Sequence, residues 1–288
     1  MNSIYREIKA LLTEGSMPEG EAKAVALMLL EKVAGLTAAE ALIADGNDLL
    51  CRRQTLLELA ARVAQGEPVQ YVLGETDFCG MTMKVKPGVL IPRPETEELV
   101  NWIVETLHTK KPTVNCQLLD IGTGSGCIAV ALAKKLEQAE VEAWDVSEVA
   151  LEVTKENAER NGVKVKVNKV DVLSPQTSNF KPLTSYDVIV SNPPYICEEE
   201  MEEMEKNVLE HEPALALFVP NHDPLLFYKR IAELGLSMLK KQGLLFFEIN
   251  RRFGAEVVKM LQEKGYQEVE LRQDLFGNDR MVKAIKPA

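Results

Sequence analysis

From Gln117 to the C-terminus, short apolar runs of strand length alternate with amphipathic stretches of helical length. The runs fall at Gln117–Ile121, Val141–Trp144, Lys164–Val170, Tyr186–Val190, Leu244–Ile249, Glu268–Leu271 and Met281–Ile285. The helical stretches fall at Ile128–Leu136, Glu148–Asn161, Leu225–Leu239 and Gly254–Lys264. A helix returns the chain to the start of a neighbouring parallel strand, so repeated β–α units predict a mainly parallel sheet with helices on both faces. Such sheets bind ligands at the carboxyl ends of their strands. Only the turn-rich stretch 274–279 separates the last two runs, which is too short for a crossover and predicts a hairpin. The fold class that follows is α/β, a seven-stranded, mostly parallel sheet with one antiparallel strand.

The chain ahead of this region reads differently. Residues 1–74 read as a bundle of helices. Ile4, Ile8, Leu11 and Leu12 keep helical spacing up to Gly15, and Pro18 opens a second helix that ends near Gly35. Thr37 with Glu40 three residues on is a capping box for a short third helix, and Leu49–Val63 gives a fourth. No catalytic constellation falls here, so this segment is expected to be an accessory, substrate-docking domain. From Phe78 to Val89 the pattern alternates, with Met81, Met83 and Val85 on one side and Thr82, Lys84 and Lys86 on the other. Residues 75–93 are therefore expected to be a β-hairpin linker. A helical stretch at Glu95–Leu107 opens a catalytic domain over 94–288.

Composition narrows the function. With 288 residues and 46% hydrophobic content, the chain can build a proper core. Its 44 acidic against 33 basic residues give a net charge of −11, which argues against holding a nucleic-acid backbone by bulk electrostatics. The five cysteines (Cys51, Cys79, Cys116, Cys127, Cys197) are scattered, and the three histidines lie far apart, so no metal site is expected and the thiols read as reduced. No apolar signal core and no uncharged run near the ~18 residues of a membrane span is present. A cytoplasmic, monomeric protein without membrane or direct nucleic-acid contact is the expectation.

Leu118–Ala129 is a strand, a glycine turn and a helix start. Gly122, Thr123, Gly124, Ser125 and Gly126 form G-x-G-x-G, which departs from the dinucleotide fingerprint because Cys127 stands where glycine or alanine is needed. Three further residues end later strands. Asp145 can accept from both hydroxyls of a ribose; Asp171, or the amide of Val172, can meet an adenine edge; Asn192 follows the fourth strand. Any one of them alone is a strand-end cap or Asx turn. Together they mark one edge of one sheet.

Asn192 begins Asn192-Pro193-Pro194-Tyr195, directly after the strand-like Tyr186–Val190 and Ser191. This is a grip for a planar NH2 group. Asparagine offers a carbonyl acceptor and an amide donor pair. The two prolines stiffen the main chain and aim its carbonyls, and tyrosine supplies a flat face.

These features resemble the class I S-adenosylmethionine-dependent methyltransferases. The resemblance implies that Gly122–Gly126 wrap the methionine part, that Asp120 orients the loop or the amino group, that Asp145 holds the ribose and that Asp171 and Val172 hold the adenine. Longer blocks narrow it further. Gly66–Gly74, Leu90–Glu97, the two motifs above and Asp274–Arg280 occur in order, and from about Leu49 onward the chain resembles the peptide chain release factor glutamine methyltransferase family (PrmC/HemK type). It departs at Asn250, where many members carry glycine.

That resemblance implies methyl transfer from S-adenosyl-L-methionine, leaving S-adenosyl-L-homocysteine. The acceptor would be N5 of the glutamine in the Gly-Gly-Gln loop of class I release factors. Asn192, Pro193, Pro194 and Tyr195 are the catalytic and substrate-binding candidates, and Asn192 also borders the cofactor. Arg93, between prolines, is either a wall of the acceptor pocket or half of an ion pair pinning its loop. Arg280 poses the same choice. Glu248 either lines the cavity or pairs with a cation such as Arg251. The run 198–205, with six glutamates, reads as a solvated acidic helix or lid. Competing readings are a ribosomal-protein glutamine methyltransferase, a DNA or RNA amino-group methyltransferase, and a nucleotide-binding protein without catalysis.

Overall fold

The computed structural model describes residues 3–43, 49–109, 115–175, 177 and 185–288. They divide into two compact units: Met1–Glu75 with Glu205–His211, and Thr76–Met204 with Glu212–Ala288. The first holds helices α1 (Ser3–Glu14), α2 (Glu19–Ala34), α3 (Ala38–Ile43), α4 (Leu50–Ala64) and α5 (Val69–Leu73). Ile4, Ile8 and Leu12 of α1 meet Leu29 and Leu30 of α2 and Leu56 of α4 in a shared core. The Thr37–Glu40 box forms: the Thr37 N–H donates to Glu40 Oε2 at 2.8 Å and the Glu40 N–H to Thr37 Oγ1 at 3.3 Å. The single turn α5 was not predicted, because five residues are too few to show a period.

The hairpin strands β1 (Glu75–Phe78), which crosses into the second unit at Thr76, and β2 (Met81–Lys84) are shorter than the alternation predicts, and α6 (Pro94–Thr109) follows. The β–α units follow: β3 (Gln117–Ile121), α7 (Cys127–Lys135), β4 (Glu140–Asp145), α8 (Glu148–Arg160), β5 (Val165–Lys169) and β6 (Tyr186–Ser191). Three short pieces come next, β7 (Ile196–Cys197), a 3-10 turn at Glu198–Glu203, and α9 (Lys206–His211), which groups with the first unit. The chain closes with α10 (Ala214–Leu217), β8 (Phe218–Val219), α11 (Leu226–Met238), β9 (Leu239–Glu248), α12 (Gly254–Glu263), β10 (Gln267–Gln273) and β11 (Asp279–Ile285).

Seven strands form the main sheet in the order β10-β11-β9-β6-β3-β4-β5. β11 runs antiparallel to both neighbours, while β9, β6, β3, β4 and β5 pair in parallel. The predicted seven strands and the terminal hairpin are all present. Strand alternation explains the two cores. Leu118, Val188, Val190, Leu244 and Phe246 face α6 and α7, whereas Leu119, Ile121, Ile189, Leu245 and Phe247 face α11 and α12. Neighbours on β9 thus make edge-to-face ring contacts on opposite sides, Phe246 with Trp102 at 5.4 Å and Phe247 with Tyr228 at 5.3 Å. Each fully buried side chain of this size contributes about 1.5–3 kcal/mol. Successive strands step outward from β3 through β4 to β5, and the chain then crosses back to β6 on the other side of β3. That reversal opens a crevice between the carboxyl ends of β3 and β6.

Candidate active site

Strand register carries the sequence candidates to one edge. Ile121 pairs with Trp144 on one side and Ser191 on the other, and Ser191 pairs with Phe247. The residues that come next, Gly122, Asp145, Asn192 and Glu248, therefore stand in a row across four strands. A broad depression of about 910 Å³, lined by Gln117, Glu140, Gly162 and Lys166, lies at the opposite edge, where strands begin. None of the candidates reaches it.

The glycine turn is held from several sides. Gly122, Gly124 and Gly126 all have positive φ (71°, 55° and 79°), a region costly for other residues. Gly126 has a second reason: a Cβ there would come within 2.8 Å of Thr154 Cγ2 on α8. The N–H groups of Gly122 and Thr123 donate to the Trp144 carbonyl at 2.8 and 3.0 Å. The Gly124 N–H donates to Asp145 Oδ2 at 2.9 Å. Buried Asn157, which the sequence did not single out, clamps the turn from α8. Its Nδ2 donates to the carbonyls of Ser125 (2.8 Å) and Lys84 (2.9 Å), and its Oδ1 accepts from the Lys84 N–H at 2.6 Å. An asparagine mid-helix is the signal that could have flagged it, since such a residue needs a tertiary reason to be there.

Asp120 is 1% exposed. Its Oδ2 accepts from the Thr123 hydroxyl at 2.6 Å, but Oδ1 has no partner, and neither has the buried Ser125 Oγ. Burial pushes the Asp120 carboxyl up to about 7, against the pull of the Thr123 hydroxyl and the Ala129 N–H. Asp145 is also raised by burial, although the N–H groups of Ser147, Gly124 and Val146 work against it. A buried carboxyl, a half-buried one and an orphaned hydroxyl around a glycine turn fit a ligand that brings donors and positive charge.

The adenine-edge candidates are placed otherwise. Asp171 is exposed and its Oδ1 accepts from the Leu173 N–H at 2.9 Å, an Asx turn; the Val172 carbonyl accepts from Arg230 Nε at 2.7 Å. The pair stays at the rim, past β5, with its main chain ordered by Arg230.

At the other end of the crevice, the Ser191 hydroxyl donates to the Ile121 carbonyl at 2.6 Å and locks the start of the Asn192 turn to β3. Asn192 Nδ2 donates to Thr96 Oγ1 at 3.4 Å. The Thr96 hydroxyl in turn donates to Glu248 Oε2 at 2.6 Å, and the Tyr195 hydroxyl to Glu248 Oε1 at 3.3 Å. Glu248 is therefore bound by Thr96 and Tyr195, and the cation acting on it is Arg280; Arg251 is exposed. Burial raises the Glu248 carboxyl above its ordinary range, and burial together with Glu248 raises the Tyr195 hydroxyl.

Asn250, the departure from the family pattern, acts where glycine could not. It is buried, and its Nδ2 donates to the Tyr195 carbonyl at 3.1 Å and to Glu200 Oε1 at 2.9 Å. The acidic run is thus not wholly solvated, because Glu200 turns inward and also accepts from the Cys197 N–H. Arg93 pairs with buried Glu212, whose other oxygen accepts from the Ile91 N–H at 3.2 Å. Its charge still acts on Tyr195. Arg280 pairs with Asp274 at 3.2 Å, which also accepts from the N–H groups of Phe276 and Asn278. Among the described residues no group of histidines, cysteines and carboxylates could hold a metal ion, and no helix is long and apolar enough to cross a membrane.

Known proteins match both units. The Methyltransferase small domain family matches residues 86–214 and the PrmC N-terminal domain family residues 3–74. A human protein described as methyltransferase 10 domain containing protein shares the fold, with a TM-score of 0.51 and 20% identity over 72% of this chain and 90% of that one. The release factor glutamine methyltransferase of Bacillus subtilis is 37% identical over 99% of this chain and 98% of its own. That of Bacteroides thetaiotaomicron is 45% identical over 99% of each. A glycine turn and an Asn-Pro-Pro-Tyr turn in register on one sheet edge, with identity of this extent along the whole length, mean that the chain belongs to the release factor glutamine methyltransferase family.

Proposed function

We propose that this chain methylates N5 of the glutamine in the Gly-Gly-Gln loop of class I peptide chain release factors, using S-adenosyl-L-methionine. The observation that carries the reading is the register Ile121↔Ser191, which sets the glycine turn and Asn192-Pro193-Pro194-Tyr195 side by side. Gly122, Thr123, Gly124, Ser125 and Gly126 would cradle the methionine part. The orphaned Asp120 Oδ1 is available to its ammonium. Asp145 would take the ribose hydroxyls with the lone pairs left by Gly124 and Ser147, and the rim at Asp171 and Val172 the adenine. S-adenosyl-L-methionine, when bound, supplies a methyl group on a positively charged sulfur.

A carboxamide nitrogen is a poor nucleophile, because its lone pair is delocalised into the carbonyl. Holding it in line with the methyl carbon is the main work of the site, and such positioning supplies up to about 7–11 kcal/mol. Asn192 Oδ1 and the Pro193 carbonyl accept the two amide hydrogens. These hydrogens grow more acidic as the new N–C bond replaces the methyl–sulfur bond, so both contacts strengthen toward the transition state, and one of the two protons then leaves the methylated nitrogen for water. Hydrogen bonds to charged groups contribute about 1.5–3 kcal/mol each. Tyr195 packs on the glutamine plane, and Pro193 and Pro194 keep the turn rigid. Arg93, pinned by Glu212, forms a wall facing the incoming loop. The N-terminal helical unit is the docking domain for the protein substrate.

The test is incubation with labelled S-adenosyl-L-methionine and an undermodified extract, followed by mass mapping of the labelled peptide. Label on the glutamine after two glycines of a release factor supports the proposal. Label on a ribosomal protein, RNA or DNA, with none on release factors, overturns it.

A further inference from the structure

The Asn192 side chain is useful only one way round. Its oxygen must face the acceptor amide; a flipped side chain would present an NH2 group to another NH2 group. Nothing in the turn itself selects between these, because the two ends of a carboxamide have nearly the same shape. The selection comes from two residues distant in sequence. Glu248, as a carboxylate, can only accept hydrogen bonds. The Thr96 hydroxyl therefore spends its single hydrogen on Glu248 Oε2 at 2.6 Å, the short distance of a charge-assisted bond. What Thr96 has left is a lone pair, and only the nitrogen end of Asn192 can donate to it, which Nδ2 does at 3.4 Å. The other oxygen of the same carboxylate takes the Tyr195 hydroxyl at 3.3 Å.

We infer that Glu248 and Thr96 are positioning residues for methyl transfer, together setting the Asn192 carboxamide with its oxygen toward the acceptor and holding Tyr195 in place. Neither touches the reacting atoms. Both positioning residues are buried, Thr96 2% and Glu248 1% exposed, while Asn192 and Tyr195 are half-buried. Arg280 on β11 and Glu95 on α6 act on Glu248 by charge, Tyr195 donates to it, and Tyr228 on α11 donates to its main-chain carbonyl at 3.3 Å. Cys127 on α7 feels its charge from the glycine-turn side. Protonation of Glu248 would give the carboxyl a hydrogen to offer Thr96. That frees the Thr96 hydrogen to meet Asn192 Oδ1, and the carboxamide turns the wrong way.

The inference rests on the proposed reaction, so wild-type enzyme acting on unmethylated release factor is the control for that reading. With cofactor and release factor both saturating, Glu248→Gln and Thr96→Val are each expected to lower kcat about 10- to 100-fold, the loss of one oriented hydrogen bond to a charged group. Cofactor affinity should stay unchanged. Thr96→Ser, which keeps the hydroxyl, should restore most of the rate. The wild-type kcat should fall on acidification, and that limb should be missing in Glu248→Gln. A second readout needs no turnover: the Asn192 side-chain NH2 resonances, followed by NMR in the free enzyme, should shift in Thr96→Val and titrate with pH only where Glu248 is present. Wild-type rates in Glu248→Gln or Thr96→Val overturn the inference, as do equal losses in Thr96→Ser and Thr96→Val. If the wild type itself leaves release factor unmethylated, the reaction is misassigned, and the NMR titration still decides the orientation.

Discussion

Asp145 at the end of β4 accepts the Gly124 N–H at 2.9 Å, so the carboxylate assigned to the ribose also braces the turn assigned to the methionine part. A second main-chain donor, the Ser147 N–H at 2.8 Å, fixes its other oxygen. Asp145→Ala should therefore weaken cofactor binding by more than the ribose contacts alone. About 1.5–3 kcal/mol, a 10- to 100-fold rise in Kd by calorimetry, is expected. Asp145→Asn keeps one acceptor and should fall between. Unchanged affinity in Asp145→Ala would detach this residue from the cofactor.

In the proposed reaction Asn192 is expected to separate chemistry from binding. Asn192→Ala should lower kcat by orders of magnitude and leave cofactor affinity nearly as it was, because the contacts that strengthen toward the transition state are those to the acceptor. Single-turnover rates alongside equilibrium binding would resolve the two. A variant as active as the wild type would remove Asn192 from the mechanism.

Asn157 shows how a remote helix holds the glycine turn. Asn157→Ala leaves the Lys84 N–H and the Lys84 and Ser125 carbonyls without their buried partner. The expected cost is about 1–3 kcal/mol of stability, read from denaturant unfolding, together with weaker cofactor binding. Asn157→Asp should be no rescue, since a carboxylate cannot donate to the two carbonyls.

Asp120 is expected to make cofactor binding depend on pH. With its carboxyl held near about 7 by burial, the free protein carries a proton there that the unfolded chain has already lost above its ordinary value of 3.8. Stability from this group is present below the ordinary value and declines as pH rises toward about 7, because the folded state binds more protons in that window. A cationic ligand favours the ionised form, so its affinity should rise as pH climbs through about 7 and then level off. Below that pH, binding should release a proton, visible as a buffer-dependent heat in calorimetry. Asp120→Asn should flatten the profile. A profile unchanged by that substitution would assign the proton elsewhere.

Much of this was legible because it is local. Strand and helix periods, the glycine turn, the Thr37–Glu40 box and the Asn-Pro-Pro-Tyr turn are written in residues a few positions apart, and their physics acts over the same range. Their meeting on one sheet edge followed from the β–α alternation, since parallel strands carry their carboxyl ends to the same side. The two-residue strands β7 and β8 and the short helices around them were not legible, because pieces of that length have no period.

By itself, then, the sequence determined the seven-stranded sheet with its antiparallel strand and the identities of the loops that line the crevice. The tertiary structure decided how each side chain in those loops is oriented. Arg93 found Glu212, 119 positions away, instead of the neighbouring Glu95 or Glu97. Glu248 found Thr96, 152 positions away, instead of Arg251, and Asn250 joined the Tyr195 carbonyl to Glu200. A buried polar atom must be satisfied by whatever the packing of distant elements brings within about 3 Å, and no spacing along the chain records which residue that will be.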